Sequence, residues 1–184
     1  MPATRIQRAL VINSVPENSP MSEQQHYDRS QVVGAGIEEV FDFIDDHAQF
    51  SAHMGKSSGM MAGGRMDVDM DERQGRAVGS HIRMRGSILG VEIFLDEVVT
   101  VHDRPSRKEW ETVGTPHLVV VGSYKMGVHL VSDAGGTLVR VFIDYELPSG
   151  VVTHELGRLF GKVYAKWCVD QMLEGVVLHF PRAH

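Results

Sequence analysis

Strand-forming sequence that runs up to Pro148 passes without a linker into one long amphipathic helix, and this junction limits the possible folds more than anything else in the chain. Between Val151 and Phe180 the residues Leu156, Leu159, Phe160, Val163, Tyr164, Trp167, Cys168, Met172 and Val176 recur at three- and four-residue steps, with no proline among them. At a rise of roughly 1.5 Å per residue, such a helix is about 45 Å long. An apolar face so long and wide needs an extended concave partner, and the alternating segments between Met61 and Pro148 are the ones that can supply it. A curved antiparallel sheet wrapped on a helix leaves a hollow where the two part. The expectation is a container for a small apolar molecule.

The 184 residues fit one domain, and a domain of this size buries roughly 70% of its unfolded surface, enough for a core and a cavity. Hydrophobic residues at 42% and charged residues at 23% are ordinary for a globular chain and point to neither disorder nor stable membrane insertion. With 24 acidic against 18 basic residues, the net charge of −6 argues against a nucleic-acid surface, which needs clustered Lys and Arg. The single cysteine, Cys168, excludes an internal disulfide and any multi-cysteine metal site. The apolar stretch Ala9 to Ile12 is too short for the core of a secretory signal, so a reducing, cytoplasmic location is expected. None of these features sets an oligomeric state.

Residues 1–25 mix Pro2, Pro16 and Pro20 with polar residues and show no sustained period, which predicts a flexible arm ahead of a single domain over 26–181. The first strand is expected from Tyr27 to Val33. After Gly34 and Gly36, the helical spacing of Ile37, Val40, Phe41 and Ile44 predicts a short helix, with Glu38 and Glu39 favourably placed in its first turn. A second short helix or turn is expected over His47 to Met54, and Gly55 to Gly64 reads as a connector that can cover a cavity mouth. Six alternating segments follow: Arg65 to Glu72, Ser80 to Leu89, Val91 to Val101, Lys108 to Val113, Leu118 to Val131 and Thr137 to Leu147. In the first, Met66, Val68 and Met70 oppose Asp67, Asp69 and Asp71, the period of a half-buried strand. Short turns at Leu89-Gly90, Arg104-Pro105-Ser106 and Ala134-Gly135-Gly136 imply antiparallel pairing of neighbours.

Three stretches carry a family likeness: Val32 to Asp46, a strand running into Glu-Val-Phe-Asp-Phe-Ile; Arg104 to Trp110, a proline turn into an aromatic-bearing strand; and Gly136 to Val141, a Gly-Thr hairpin ahead of the C-terminal helix. On these the chain, from about Tyr27 to Phe180, resembles the START/Bet v 1-like (SRPBCC) superfamily and its polyketide cyclase/dehydrase-like members. The resemblance implies an α+β helix-grip fold: a seven-stranded curved antiparallel sheet around a long C-terminal helix, with two short helices after strand 1 and a cavity between sheet and helix. It implies binding of a lipid, sterol, quinone or polyketide, with catalysis in a minority of members. These stretches mark a fold, and the chemistry stays open.

No His-x-x-x-His pair and no complete phosphate loop occurs, so neither a metal nor a cofactor is expected. Cys168 reads as a small apolar core residue. Alternation places Val141, Ile143 and Tyr145 on one face of the last strand, and Met84, Trp110, Tyr124 and Met126 are inward candidates on other strands. Phe160, Tyr164 and Trp167 are candidates on the helix. Together these ten are expected to line a greasy pocket with a few orienting hydroxyls, although each taken singly has an ordinary packing role. A ligand losing on the order of 400 Å² of apolar surface gains about 10 kcal/mol. Association costs at least about 4 of these, leaving a dissociation constant of roughly tens of micromolar or weaker. The rival expectation is a polyketide cyclase- or dehydratase-type enzyme with Tyr124, Tyr145, His117 or His129 moving protons in the same pocket.

Overall fold

The computed structural model describes residues 24–51, 65–88, 91–118, 120–148 and 150–182. The expected arm, apart from its last two residues, and the connector Gly55 to Gly64 lie outside the described residues. In order, the chain forms β1 (Gln25–Val33), α1 (Ile37–Asp45), α2 (His47–Phe50), β2 (Arg65–Met70), β3 (His81–Ile88), β4 (Val91–Asp103), β5 (Arg107–His117), β6 (Tyr124–Asp133), β7 (Gly136–Tyr145) and α3 (Val151–His179). The seven strands make one antiparallel sheet in the order β1-β7-β6-β5-β4-β3-β2. Strands β2 to β7 run as a meander in which each strand pairs with its neighbours in sequence. The one long-range pairing, β1 with β7, runs from Gln25↔Tyr145 to Val33↔Thr137, so β1 starts two residues before its expected beginning.

Alternation decides the faces. Along β7, Val139, Val141, Ile143 and Tyr145 are buried toward α3, matched across β6 by Met126, Val128 and Leu130. Along β2, Met66 is buried while Asp67 and Asp69 are exposed. Register shifts between Phe94/Asp96 and Val99/Val101 interrupt the β4–β5 pairing, and irregularities of this kind bend a sheet. The apolar interior divides into two clusters. The larger lies under α1 and α3, and the smaller is formed by Met66, Ile82, Met84, Ile93, Leu95 and Val99; Tyr124 and Trp167 touch both.

α3 meets the sheet along a stripe that follows its apolar spacing in part: Cys168, Met172 and Val176 are buried as expected, but the first half of the helix is turned differently. Ala165, Cys168, Val169, Met172, Leu173 and Val176 are buried, whereas Leu159, Phe160 and Val163 are 66%, 47% and 53% exposed. Two glycines cause the difference. A side chain at Gly157 or Gly161 would stand 3.1 or 2.9 Å from the Val120 carbonyl oxygen, so the helix approaches the β5–β6 connection backbone to backbone. That contact continues the stripe Gly157, Gly161, Ala165, Cys168 at helical spacing and turns the larger residues on its flank outward. The expected strand Leu118 to Val131 is likewise shorter at its start: β6 begins at Tyr124, and residues before it border an opening at this end of α3.

A buried ion pair lies beside this core. Lys108 stands on the inward face of β5 beside Trp110 and is 1% exposed, beneath the end of α1. Its ammonium donates to the Asp45 carbonyl at 3.2 Å and to Asp45 Oδ1 at 2.9 Å, and His102 Nε2 lies 2.9 Å from the same carboxylate oxygen. A cation at a helix C-terminus meets the negative end of the dipole and the last free carbonyls. Burial pulls Lys108 below the usual lysine range against the opposing pull of Asp45. Burial pushes Asp45 up, but Lys108 and His102 outweigh it and hold the carboxyl low.

Candidate functional site

Between the two apolar clusters lies a small chamber lined by His47, Ser51, Met84, Leu95, Glu97, Trp110, Leu118, Tyr124, Met126, Ile143, Tyr164, Cys168 and Met172. Its volume is about 30 Å³, room for one water molecule. At Leu118 it adjoins a wide cleft of about 800 Å³, bordered by Ile93, Gly114, Pro116, His117, Val121, Leu147, Pro148 and the first turn of α3. The hollow expected between sheet and helix is therefore almost filled by side chains, and the larger space is an open cleft at the start of α3 that has Leu118 as a common wall with the small chamber.

The chamber holds a polar cluster. Glu97 sits on β4 with Ile93, Leu95 and Val99 on the same face, and it is 1% exposed. The Tyr124 hydroxyl donates to Glu97 Oε1 in a short hydrogen bond. Oε2 makes no well-formed hydrogen bond among the described residues, and His47 Nε2 stands 3.9 Å from it. Burial raises the Glu97 carboxyl to about 7; hydrogen bonding from Tyr124 and, more weakly, Trp110 opposes the rise, and the nearby Asp96 charge adds to it. His47 is held edge-on to the Trp110 ring, with centroids 5.4 Å apart. On α3, Tyr164 meets the Cys168 thiol, which burial pushes up to about 12. A thiol so disfavoured as thiolate is no nucleophile at neutral pH. Burial also raises Tyr124 and Tyr164 well above the usual phenol range.

Of the ten residues singled out in the sequence, Met84, Trp110, Tyr124, Met126, Ile143 and Tyr164 come together around the chamber. The other four stand elsewhere. Val141 is fully buried in the core between β7 and its neighbours. Tyr145 packs its ring edge where a side chain at Gly161 would sit. Trp167 bridges the two clusters with its ring 5.9 Å from Tyr164. Phe160 is on the outer side of α3, turned there by the glycine contact. The two histidines proposed as proton carriers are also elsewhere. His117 is exposed at the mouth, and His129 bonds Glu109 at 2.8 Å on the opposite face of the sheet. Sequence reasoning missed Glu97, although it takes its turn in the alternation Ile93, Leu95, Glu97, Val99. A carboxylate on an otherwise apolar strand face was the available signal. His47 was missed as well, because residue spacing tests a histidine only as a metal ligand. Among the described residues, no group of three His, Cys, Asp or Glu is placed to hold a metal ion, and no helix is long and apolar enough to cross a membrane.

Solved structures repeat this arrangement of sheet and helix. Truncated norcoclaurine synthase from Thalictrum flavum superposes with a TM-score of 0.63 over 90% of this chain and 99% of its own, at 12% identity. The chain has the helix-grip fold. The Zhui aromatase/cyclase from Streptomyces sp. R1128 shares it with a TM-score of 0.61 over 85% of this chain and 93% of that one, at 12% identity. The ginseng major latex-like protein 151 from Panax ginseng does so with a TM-score of 0.55 over 85% and 97%, at 16% identity. No family model and no curated protein matches the sequence. A shared helix-grip framework at such identities establishes the fold alone.

Proposed function

We propose that this helix-grip protein binds a small hydrophobic or aromatic molecule, of lipid, quinone or polyketide type, between the sheet and α3. The observation that carries the reading is a cleft of about 800 Å³, within the size range of small-molecule sites, beside the small apolar chamber with which it shares Leu118 as a wall. Aromatase/cyclase and latex-like proteins on the same framework are consistent with it. The same reading keeps the single-cysteine chain in the cytoplasm, with a small hydrophobic ligand as its partner and no nucleic acid. Titration with naphthalene- and quinone-type compounds is expected to quench tryptophan fluorescence saturably, with dissociation constants of roughly tens to hundreds of micromolar. Because Trp110 lines the chamber, the quench persists in Trp167→Phe. Absence of saturable quenching below millimolar concentration refutes the reading.

The second reading, a cyclase- or dehydratase-type enzyme, is favoured by one feature: a carboxyl near neutrality, hydrogen-bonded to a tyrosine and next to a histidine, inside an apolar site. Here the proton-handling pair is Glu97 with Tyr124, in place of Tyr145 or the two outlying histidines. Under this reading Tyr124→Phe lowers turnover of a bound poly-β-keto substrate at least a hundredfold and changes its dissociation constant less than threefold. A parallel loss of binding and turnover assigns Tyr124 to ligand binding alone.

A further inference from the structure

The chamber contains a buried carboxylate oxygen, Glu97 Oε2, with no well-formed hydrogen bond among the described residues; Trp110 reaches the carboxylate only weakly. Glu97 Oε1 is served by Tyr124, but His47 Nε2, at 3.9 Å from Oε2, lies beyond hydrogen-bond distance. A buried oxygen left in this state is costly, whereas a donor brought by a ligand would turn that cost into affinity. We propose that the chamber takes a hydroxylated aromatic molecule hydroxyl first, its O–H donating to Glu97 Oε2, its ring among Met84, Met126, Ile143 and Met172, and its remainder extending past Leu118 into the cleft. This rests on the binding reading above and adds to it the chemistry and direction of the ligand's polar end.

Size is the first objection, because a cavity that admits benzene measures about 150 Å³ and the chamber is about 30 Å³. Three of its walls are methionines, unbranched thioether chains that change rotamer at little cost. Leu118, half-buried in the shared wall, borders the open cleft and has room to yield. On this proposal the chamber expands toward the cleft by rotation of these side chains. Chemistry then selects among apolar ligands. At pH 8, where a carboxyl of about 7 is mostly ionised, a bare hydrocarbon, an ether or a carbonyl brings no proton to Oε2; below about pH 7 the protonated carboxyl can itself donate to an ether or carbonyl oxygen. A hydroxyl supplies one charge-assisted bond, which corresponds to roughly a tenfold to hundredfold gain in affinity.

Calorimetric titration of the whole chain at pH 8 with 1-naphthol, 1-methoxynaphthalene and naphthalene tests this. Naphthol is expected to bind at least tenfold tighter than either of the others. In Glu97→Met the three converge to within about twofold, with naphthalene bound no more weakly than by the unaltered protein. A second readout needs no variant to fold. A donor on Oε2 favours the ionised carboxyl, so at pH 7 naphthol binding releases protons, seen as an enthalpy that varies with the buffer's ionisation heat, and naphthalene binding releases none. Of the other titratable groups facing the site, Tyr124, Tyr164 and Cys168 are all shifted up and silent at this pH. Loss of the release in Glu97→Met assigns it to Glu97 and not to His47. Equal saturable binding of the three compounds overturns the hydroxyl anchor while leaving the binding reading intact. No saturable binding of any of them overturns both.

Discussion

Lys108→Ala is expected to remove about 3 kcal/mol of folding stability, the cost of leaving the buried Asp45 carboxylate with the His102 ring as its one remaining partner among the described side chains. Asp45 stays largely buried at the end of α1 without the ammonium 2.9 Å away, and the α1 carbonyl that the ammonium also serves loses its donor. Removing one partner of a buried ion pair costs roughly 3–5 kcal/mol, whereas replacing both by apolar or neutral groups of similar size is often nearly neutral. The double variant Lys108→Met with Asp45→Asn should therefore recover at least half of the loss. Equilibrium urea unfolding of the three proteins measures this directly, and a single variant within about 1 kcal/mol of the unaltered protein would mean that water reaches Asp45 and solvates it.

The second large effect concerns Glu97 and reverses with pH. Its folded-state value of about 7 lies above the value of 4.5 for a free glutamate side chain. The folded state therefore holds this proton more tightly than the unfolded chain does. The resulting stability is fully present below about pH 4.5 and is lost as pH rises through about 7, a total of about 3 kcal/mol at roughly 1.4 kcal/mol per pH unit. Glu97→Gln stays neutral throughout and its side-chain carbonyl still accepts from Tyr124. The difference in unfolding free energy between the variant and the unaltered protein should thus shift by about 3 kcal/mol in favour of the variant between pH 4.5 and pH 8. A constant difference across that range would place Glu97 in contact with solvent. Carboxylates held low by partners, such as Asp28 under Arg140 and His26, act with the opposite sign and lose their contribution as pH falls. Subtracting the variant's curve removes them.

The identities of these two residues show where reading by pattern succeeds and where it stops. Glu97 and Lys108 each occupy an inward slot; Glu97 stands among Ile93, Leu95 and Val99 and was legible as an anomaly of alternation, and Lys108 more weakly so, since Thr112 shares its face with Trp110. What each anomaly does was not legible. Whether a buried carboxylate meets a lysine, a tyrosine or nothing depends on residues more than twenty positions away, brought near by strand pairing. The same limit applies to the helix. Apolar spacing correctly predicted its length and amphipathic character, yet Leu159, Phe160 and Val163 face outward because Gly157 and Gly161 let the backbone approach Val120. Hydrophobic periodicity weights large side chains and gives glycines none, although close approach depends on them.

What the sequence determined by itself was the order of elements, the antiparallel meander, the faces of the strands and the pairing of a sheet with one long helix. These follow from local rules, the period-two and period-3.6 alternations and the short turns, which act between residues close in the chain. Only the tertiary structure decided which way α3 is rotated, how little space remains between it and the sheet, and that Glu97, Tyr124 and His47 converge there. Those are outcomes of packing between distant segments, where side-chain volumes and unmet hydrogen bonds are balanced in three dimensions and leave no periodic trace along the chain.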